Sequence, residues 1–161
     1  MKLEILDRKK IENRNWYFCK GNLLTYLQNL KSDFYEFAIQ RKIVKNQYLD
    51  KLYTTIKAGD PLPSITLTYK ESELDDLNGK NASINLEKVE ILDGLQRSFR
   101  LWAYLRISEL FKSINTANYR EFAKKIKSIH PMFFDSGVIS TRLLKSMIKE
   151  DELDRIEETF N

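Results

Sequence analysis

The chain has 161 residues, 42% of them apolar and 12% aromatic, enough to bury a real core and too apolar for an intrinsically disordered chain. Lys and Arg number 27 against 23 Asp and Glu, a net charge of +4, which permits an anionic partner without demanding one. One cysteine excludes an intrachain disulfide, and one Cys with one His, Cys19 and His130, excludes the usual nitrogen and sulfur set of a zinc site.

Taken in chain order, MKLEIL reads as a short strand and NWYFCKG as a second apolar patch ending at a glycine. The opening residues hold no apolar signal core, and no uncharged apolar run approaches a membrane span, so a cytoplasmic protein with no membrane partner is expected. From Asn22, Leu23, Leu24, Leu27, Leu30, Phe34 and Phe37 recur at threes and fours and predict helix, with Ser32-Asp33 a candidate break. Residues 46–57 repeat that pattern, and Ala58-Gly59-Asp60-Pro61 ends it. In PSITLTY, Ile65, Leu67 and Tyr69 alternate with polar residues, a strand signal.

Residues 70–87 are polar, with Asn78-Gly79-Lys80-Asn81 a turn that suits either a hairpin or a mobile insertion. Lys88–Leu92 predicts a strand. Leu95 to about Ser113 predicts a long helix that offers Leu95, Phe99, Trp102, Tyr104 or Leu105, and Leu110 to the core. Residues 119–129 predict a further helix stopped by His130-Pro131. Ser140 or Thr141 is placed to cap a last helix running toward Thr159. The acidic run KEDELDRIEETF closes the chain and leaves the rest more basic than average; it carries no stop signal and is compatible with an N-terminal piece of a longer protein. The expected class is α+β, a small mixed sheet surrounded by several helices, and residues 1–161 read as a single domain.

The stretch that calls for chemistry is EILDGLQRSFRLWAY. A strand runs into Asp93-Gly94 and a helix starts. A helix start presents N–H groups without intrahelical partners and a partial positive charge, which an anion can satisfy. Gly94 removes a side chain where a phosphate would approach. Arg97 and Arg100 stand three apart, on the same side of the helix, and two guanidinium groups can grip phosphate oxygens. Asp93 can cap the helix, hold an arginine or bind a metal ion. A plain turn, with Gln96 and Arg97 in water, is the alternative for Asp-Gly alone.

The string ILDGLQRSFRLWA resembles the signature of the ParB/sulfiredoxin-like superfamily, most closely its DGQHR and DGQQR branches, which include DGQHR-domain proteins of DNA phosphorothioation systems and the N-terminal domain of GmrSD-type restriction proteins. Asp93, Gly94, Gln96 and Arg97 match, and Leu95 stands where glutamine is usual. An upstream Gln40-Arg41 in FAIQRKIV, a helix, and the strand GDPLPSITLTY repeat the order of the family's other motifs, so the resemblance spans roughly residues 34–112. It implies a ParB/sulfiredoxin-like core in residues 34–112, followed by a helical part over 113–161.

It also implies nucleotide binding, in several branches with hydrolysis, in systems that modify, restrict or defend DNA. The partners implied are a nucleotide, DNA and proteins of such a system, with Mg²⁺ accompanying a nucleoside triphosphate. On that reading Gly94 and the N–H groups of Leu95 and Gln96 cradle phosphate, and Arg97 and Arg100 meet its charge. Asp93 orients Arg97 or holds Mg²⁺ through water, Gln96 positions an attacking water, and Gln40 and Arg41 close the opposite wall. The departures matter too. Sulfiredoxins place their cysteine nucleophile where Leu95 stands, and the Gly-Glu-Arg-Arg box with which ParB proteins grip CTP is here Gly94-Leu95-Gln96-Arg97. Two other readings stand beside this one: a DNA-binding regulator of the same fold without turnover, and a helical interaction domain with a coincidental turn.

Among the remaining residues, Trp16, Tyr17 and Phe18 beside Arg14 and Lys20 suit core packing or a subunit contact, with base stacking the minority reading. Lys124, Lys125 and Lys127 with Arg120 read as a solvated helix face, His130 as a capping or surface residue, and Cys19 as a buried or half-buried thiol.

Overall fold

The structure is a computed structural model that describes residues 1–36, 43, 49–70, 74–114 and 118–161, with backbone only for 74–78. The α+β class expected from the sequence holds. Two sheets and seven α-helices are described. Strands β1 (Lys2–Ile11), β2 (Arg14–Lys20), β4 (Leu74–Asn78) and β5 (Asn81–Ile84) form a four-stranded sheet in the order β2-β1-β5-β4. Strands β3 (Thr66–Thr68) and β6 (Glu90–Asp93) form a separate pair. Every described ladder is antiparallel rather than mixed. Two of them are hairpins closed by two-residue turns, Glu12-Asn13 and Gly79-Lys80. The second settles the polar stretch around Asn78-Gly79-Lys80-Asn81 as a hairpin, with Gly79 at φ +63°.

Helix α1 (Leu23–Gln28) is capped by Asn22, whose side chain accepts from the Thr25 N–H. It ends well before the predicted pattern does. Leu30 and Phe34 are still buried, but from non-helical backbone, and Phe37 lies outside the described residues. Helix α2 (Leu52–Lys57) ends at Ala58, and Gly59 follows at φ +75°, as its sequence requires. The remaining helices are α3 (Leu95–Ile114), α4 (Tyr119–Ile129), α5 (Pro131–Asp135), α6 (Thr141–Lys149) and α7 (Glu152–Phe160). His130-Pro131 ends α4 and also starts α5, with proline at a first-turn position where its missing N–H costs nothing. The single last helix expected from 141 toward 159 is two helices, because Asp151 adopts φ +52° and turns the chain. Ser140 is the cap of the first, accepting from the Leu143 N–H.

The core is built around α3. A one-sided helix is expected from its sequence, yet every residue from Ser98 to Leu105 is buried. Helices α1, α4 and α7 all pack against it. Such a helix has no solvent face over its middle turns. Its buried serines find partners inside: the Ser98 hydroxyl lies 2.9 Å from the Tyr26 hydroxyl, and the Ser108 hydroxyl donates to the Leu153 carbonyl. Burial pushes the Tyr26 phenol up to about 12, only partly offset by Ser98. The acidic end of the chain docks here too, with Leu153, Ile156 and Phe160 of α7 buried and Glu157 paired with Lys112 of α3. No described helix is long and apolar enough to cross a membrane.

Candidate functional site

The corner lies where β6 delivers the chain to α3. Asp93 ends the strand opposite Thr66 of β3. Gly94 then takes φ +94°, a conformation that side chains rarely adopt. Space demands glycine as well: a Cβ there would stand 3.0 Å from Cγ1 of Ile65 and 3.2 Å from Nη2 of Arg97. The Gly94 carbonyl accepts from the Ser98 N–H and opens the 20-residue helix. Leu95 is buried, 3% exposed, and pins the first turn into the core.

Arg97 folds back over this turn. Its Nη2 donates to Asp93 Oδ2 at 3.0 Å and to the Ser64 carbonyl at 2.8 Å. One guanidinium thus ties the end of β6, the first turn of α3 and the segment that leads into β3. The Asp93 side chain stays largely in solvent (70% exposed), whereas that of Arg97 is only 20% exposed. The corner therefore offers water a carboxylate, beside a buried glycine turn and a guanidinium already held by two oxygens.

Arg100 does not join Arg97. It is 2% exposed and its Nη1 donates to Asp50 Oδ1 at 2.7 Å, beside the buried Tyr104 ring. The three-residue spacing places both side chains on neighbouring directions of the helix, but α3 is surrounded at this level. One arginine reaches out along the turn and the other is enclosed. The two guanidinium groups have separate partners and form no common grip. Gln96 is partly exposed in the first turn. Gln40 and Arg41 lie outside the described residues.

The corner lines neither of two clefts found among the described residues. The larger, about 610 Å³, is open and runs between Lys2, Lys20, Asn22, Asp60 and Asn161. The smaller, about 210 Å³, lies over Asp50, Tyr53 and Tyr104, on the Arg100 side of the helix. The described residues hold no group of three or more His, Cys, Asp or Glu side chains that could bind a metal ion. Asp93 thus supplies a single carboxylate, a donor set suited to Mg²⁺ that arrives on a triphosphate and keeps its waters, and unsuited to a protein-built cage.

The other sequence candidates sort by exposure. Lys124, Lys125 and Lys127 are exposed on α4, a solvated face. His130 stacks on Phe133 at 4.7 Å and meets Trp102 edge-on, and burial with the nearby Arg106 charge holds its imidazole below the ordinary value. Its backbone N–H closes α4, but its side chain caps nothing. Cys19 is half-buried, and burial raises its thiol. Core packing of Trp16 and Phe18 is overturned: both are exposed on β2.

The chain matches no protein-family model, no curated protein and no solved structure.

Proposed function

We propose that the chain is a nucleotide-binding module, with nucleoside triphosphate the ligand, in a cytoplasmic system that modifies, restricts or defends DNA. The observation that carries this reading is the Asp93-Gly94-Leu95-Gln96-Arg97 corner, a glycine turn at the start of a long helix with an arginine folded over it. The resemblance of this string to the DGQHR and DGQQR signatures supplies the ligand class. The Gly94 turn supports the reading by bringing Arg97 over the helix start, its own Cβ side being filled by Ile65 and Arg97. First-turn N–H groups and the positive end of a 20-residue helix favour an anion there.

In this reading phosphate oxygens compete with Asp93 for Arg97. The ion pair is solvent-exposed on its acidic side, and such pairs are worth about 0–1 kcal/mol. Exchange of carboxylate for a doubly charged phosphate is therefore inexpensive. Asp93, released, can hold a water of a Mg²⁺ ion carried by the triphosphate. Gln96, one residue before Arg97, is the group to position an attacking water if the bound nucleotide turns over. Arg100 is assigned no phosphate contact, because its charge is spent inside on Asp50. Leu95 contributes its backbone N–H alone.

A second reading, the same fold binding DNA without turnover, draws on a specific feature. Arg97 already has two oxygen acceptors, and Leu95 puts an apolar side chain where the DGQHR and DGQQR signatures carry an amide. Calorimetric titration with Mg²⁺ and each nucleoside triphosphate separates the two. Saturable binding that falls about ten-fold or more in Arg97→Ala supports the nucleotide site. Binding that is absent from the wild type, or unchanged in the variant, refutes it.

A further inference from the structure

We infer that the outer face of the β1–β2 ribbon is a binding surface for single-stranded nucleic acid. The cross-strand register places Asp7 opposite Phe18, Lys9 opposite Trp16 and Ile11 opposite Arg14. Opposed residues in an antiparallel pair share a face, as do residues two apart. Phe18, Trp16 and Ile11 therefore line one face with Lys9 and Arg14 between them and Asp7 at its base. Leu6 sits in the irregularity between Ile5 and Asp7, next to that end of the face. All of these apolar side chains are in water: Leu6 is 53% exposed, Ile11 45%, Trp16 47% and Phe18 61%. The opposite face carries the inward side of the ribbon, with Ile5 buried and Tyr17 and Cys19 half-buried. There Arg8 covers the Tyr17 ring and donates to the Gly79 carbonyl.

Three large apolar side chains in water on one sheet face, with Leu6 exposed next to them, call for an occupant. Charge chooses it. Lys9 and Arg14 stand on this face and Arg8 and Lys10 on the other, so from Arg8 to Tyr17 the ribbon tip carries four cations against Glu12 alone. Its base is balanced, Lys2 and Lys20 against Glu4 and Asp7. A second copy paired ribbon to ribbon would bring this basic tip against another basic tip or against a neutral base, so neither orientation supplies the missing negative charge. A phosphate backbone does. Cations interleaved with aromatic rings are the composition with which proteins hold single strands.

Spacing chooses between single and double strands. Trp16 and Phe18 are two residues apart on one strand, roughly 6.8 Å at the usual strand rise. That is about twice the 3.4 Å repeat of stacked bases. Bases resting on both rings must be splayed apart, which a single strand allows and a duplex resists. Strand β2 is also the edge of its sheet, open along its length to a ligand that follows the ribbon.

The experiment is fluorescence anisotropy with labelled oligothymidylate and oligouridylate, across a KCl series. The wild type binds at low salt, and affinity falls as salt rises. Trp16→Ala weakens binding about ten-fold, the effect of losing one stacked base, while Trp16→Phe retains most of it. Lys9→Gln with Arg14→Gln lowers the slope of log affinity against log salt by about 1.4, two phosphate contacts on a single strand. Arg97→Ala leaves oligonucleotide affinity unchanged, so this surface stands or falls separately from the corner. Circular dichroism confirms that each variant is folded. No oligonucleotide binding at low salt, salt-independent binding, or full affinity in Trp16→Ala would each overturn the proposal. Light scattering in which Trp16→Ala converts a dimer to a monomer, without any oligonucleotide binding, would assign the face to a second copy instead.

Discussion

The corner at Gly94 and the ribbon at Trp16 use similar residue types, arginines beside apolar side chains, in opposite ways. At the corner each side chain is committed within the protein: Leu95 to the core, Arg97 to Asp93 and Ser64, Arg100 to Asp50. On the ribbon Trp16, Phe18, Ile11 and Leu6 are committed to water. A corner built this way is rigid and admits a ligand only by exchange of partners. A ribbon built this way is an open surface whose residues cost little to change. The two regions should thus respond to substitution in different currencies, stability at the corner and binding at the ribbon.

The largest effect is expected at Leu95. Leu95→Gln restores the residue usual in the resembling family, but it removes a buried aliphatic side chain worth about 2 kcal/mol and buries an amide worth another 1–3 kcal/mol if unpaired. Denaturant unfolding should show a loss of about 3 kcal/mol. A neutral result would mean that the first turn of α3 can reopen to solvent. Gly94→Ala comes next, with roughly 1–3 kcal/mol lost, because the +94° backbone and the Ile65 contact both resist a Cβ. The melting temperature reads this directly.

Acid gives a third, smaller effect. The folded-state value of His130 lies below its ordinary 6.5, so the unfolded chain takes up the proton first. Stability on this account is complete above about pH 6.5 and declines as pH falls toward the lower folded value. His130→Phe should flatten that part of the profile in pH-dependent melts; an unchanged slope would place the titration elsewhere. The smallest effect belongs to the ribbon, where Trp16→Ala should alter unfolding free energy by no more than about 0.5 kcal/mol. A large loss there would erase the contrast between the two regions.

Much of the corner was legible in the sequence. Asp-Gly between an apolar strand and a periodic helix marks the turn, and α4 coincides with its predicted span, 119–129. What was not legible depends on distant partners. The enclosure of Arg100 follows from α1, α4 and α7 closing around α3 and from Asp50 fifty residues away, and no local spacing encodes that. From sequence the ribbon reads as a short strand plus a patch, because LDRKKIENRN is exposed on both faces and shows no alternation. Its strand pairing, not burial, defines it. The break at Asp151 lacks the usual glycine or proline, so the last two helices read as one.

The most direct test of the central claim is calorimetric titration of nucleoside triphosphate with Mg²⁺ into the wild type and Arg97→Ala, both checked for fold by circular dichroism. The account predicts one saturable site in the wild type and a loss of about ten-fold or more in affinity in the variant, from removal of a charge-assisted contact. Equal affinity in the two proteins, or no heat of binding in the wild type, would contradict it and leave Asp93-Gly94-Leu95-Gln96-Arg97 as a structural latch.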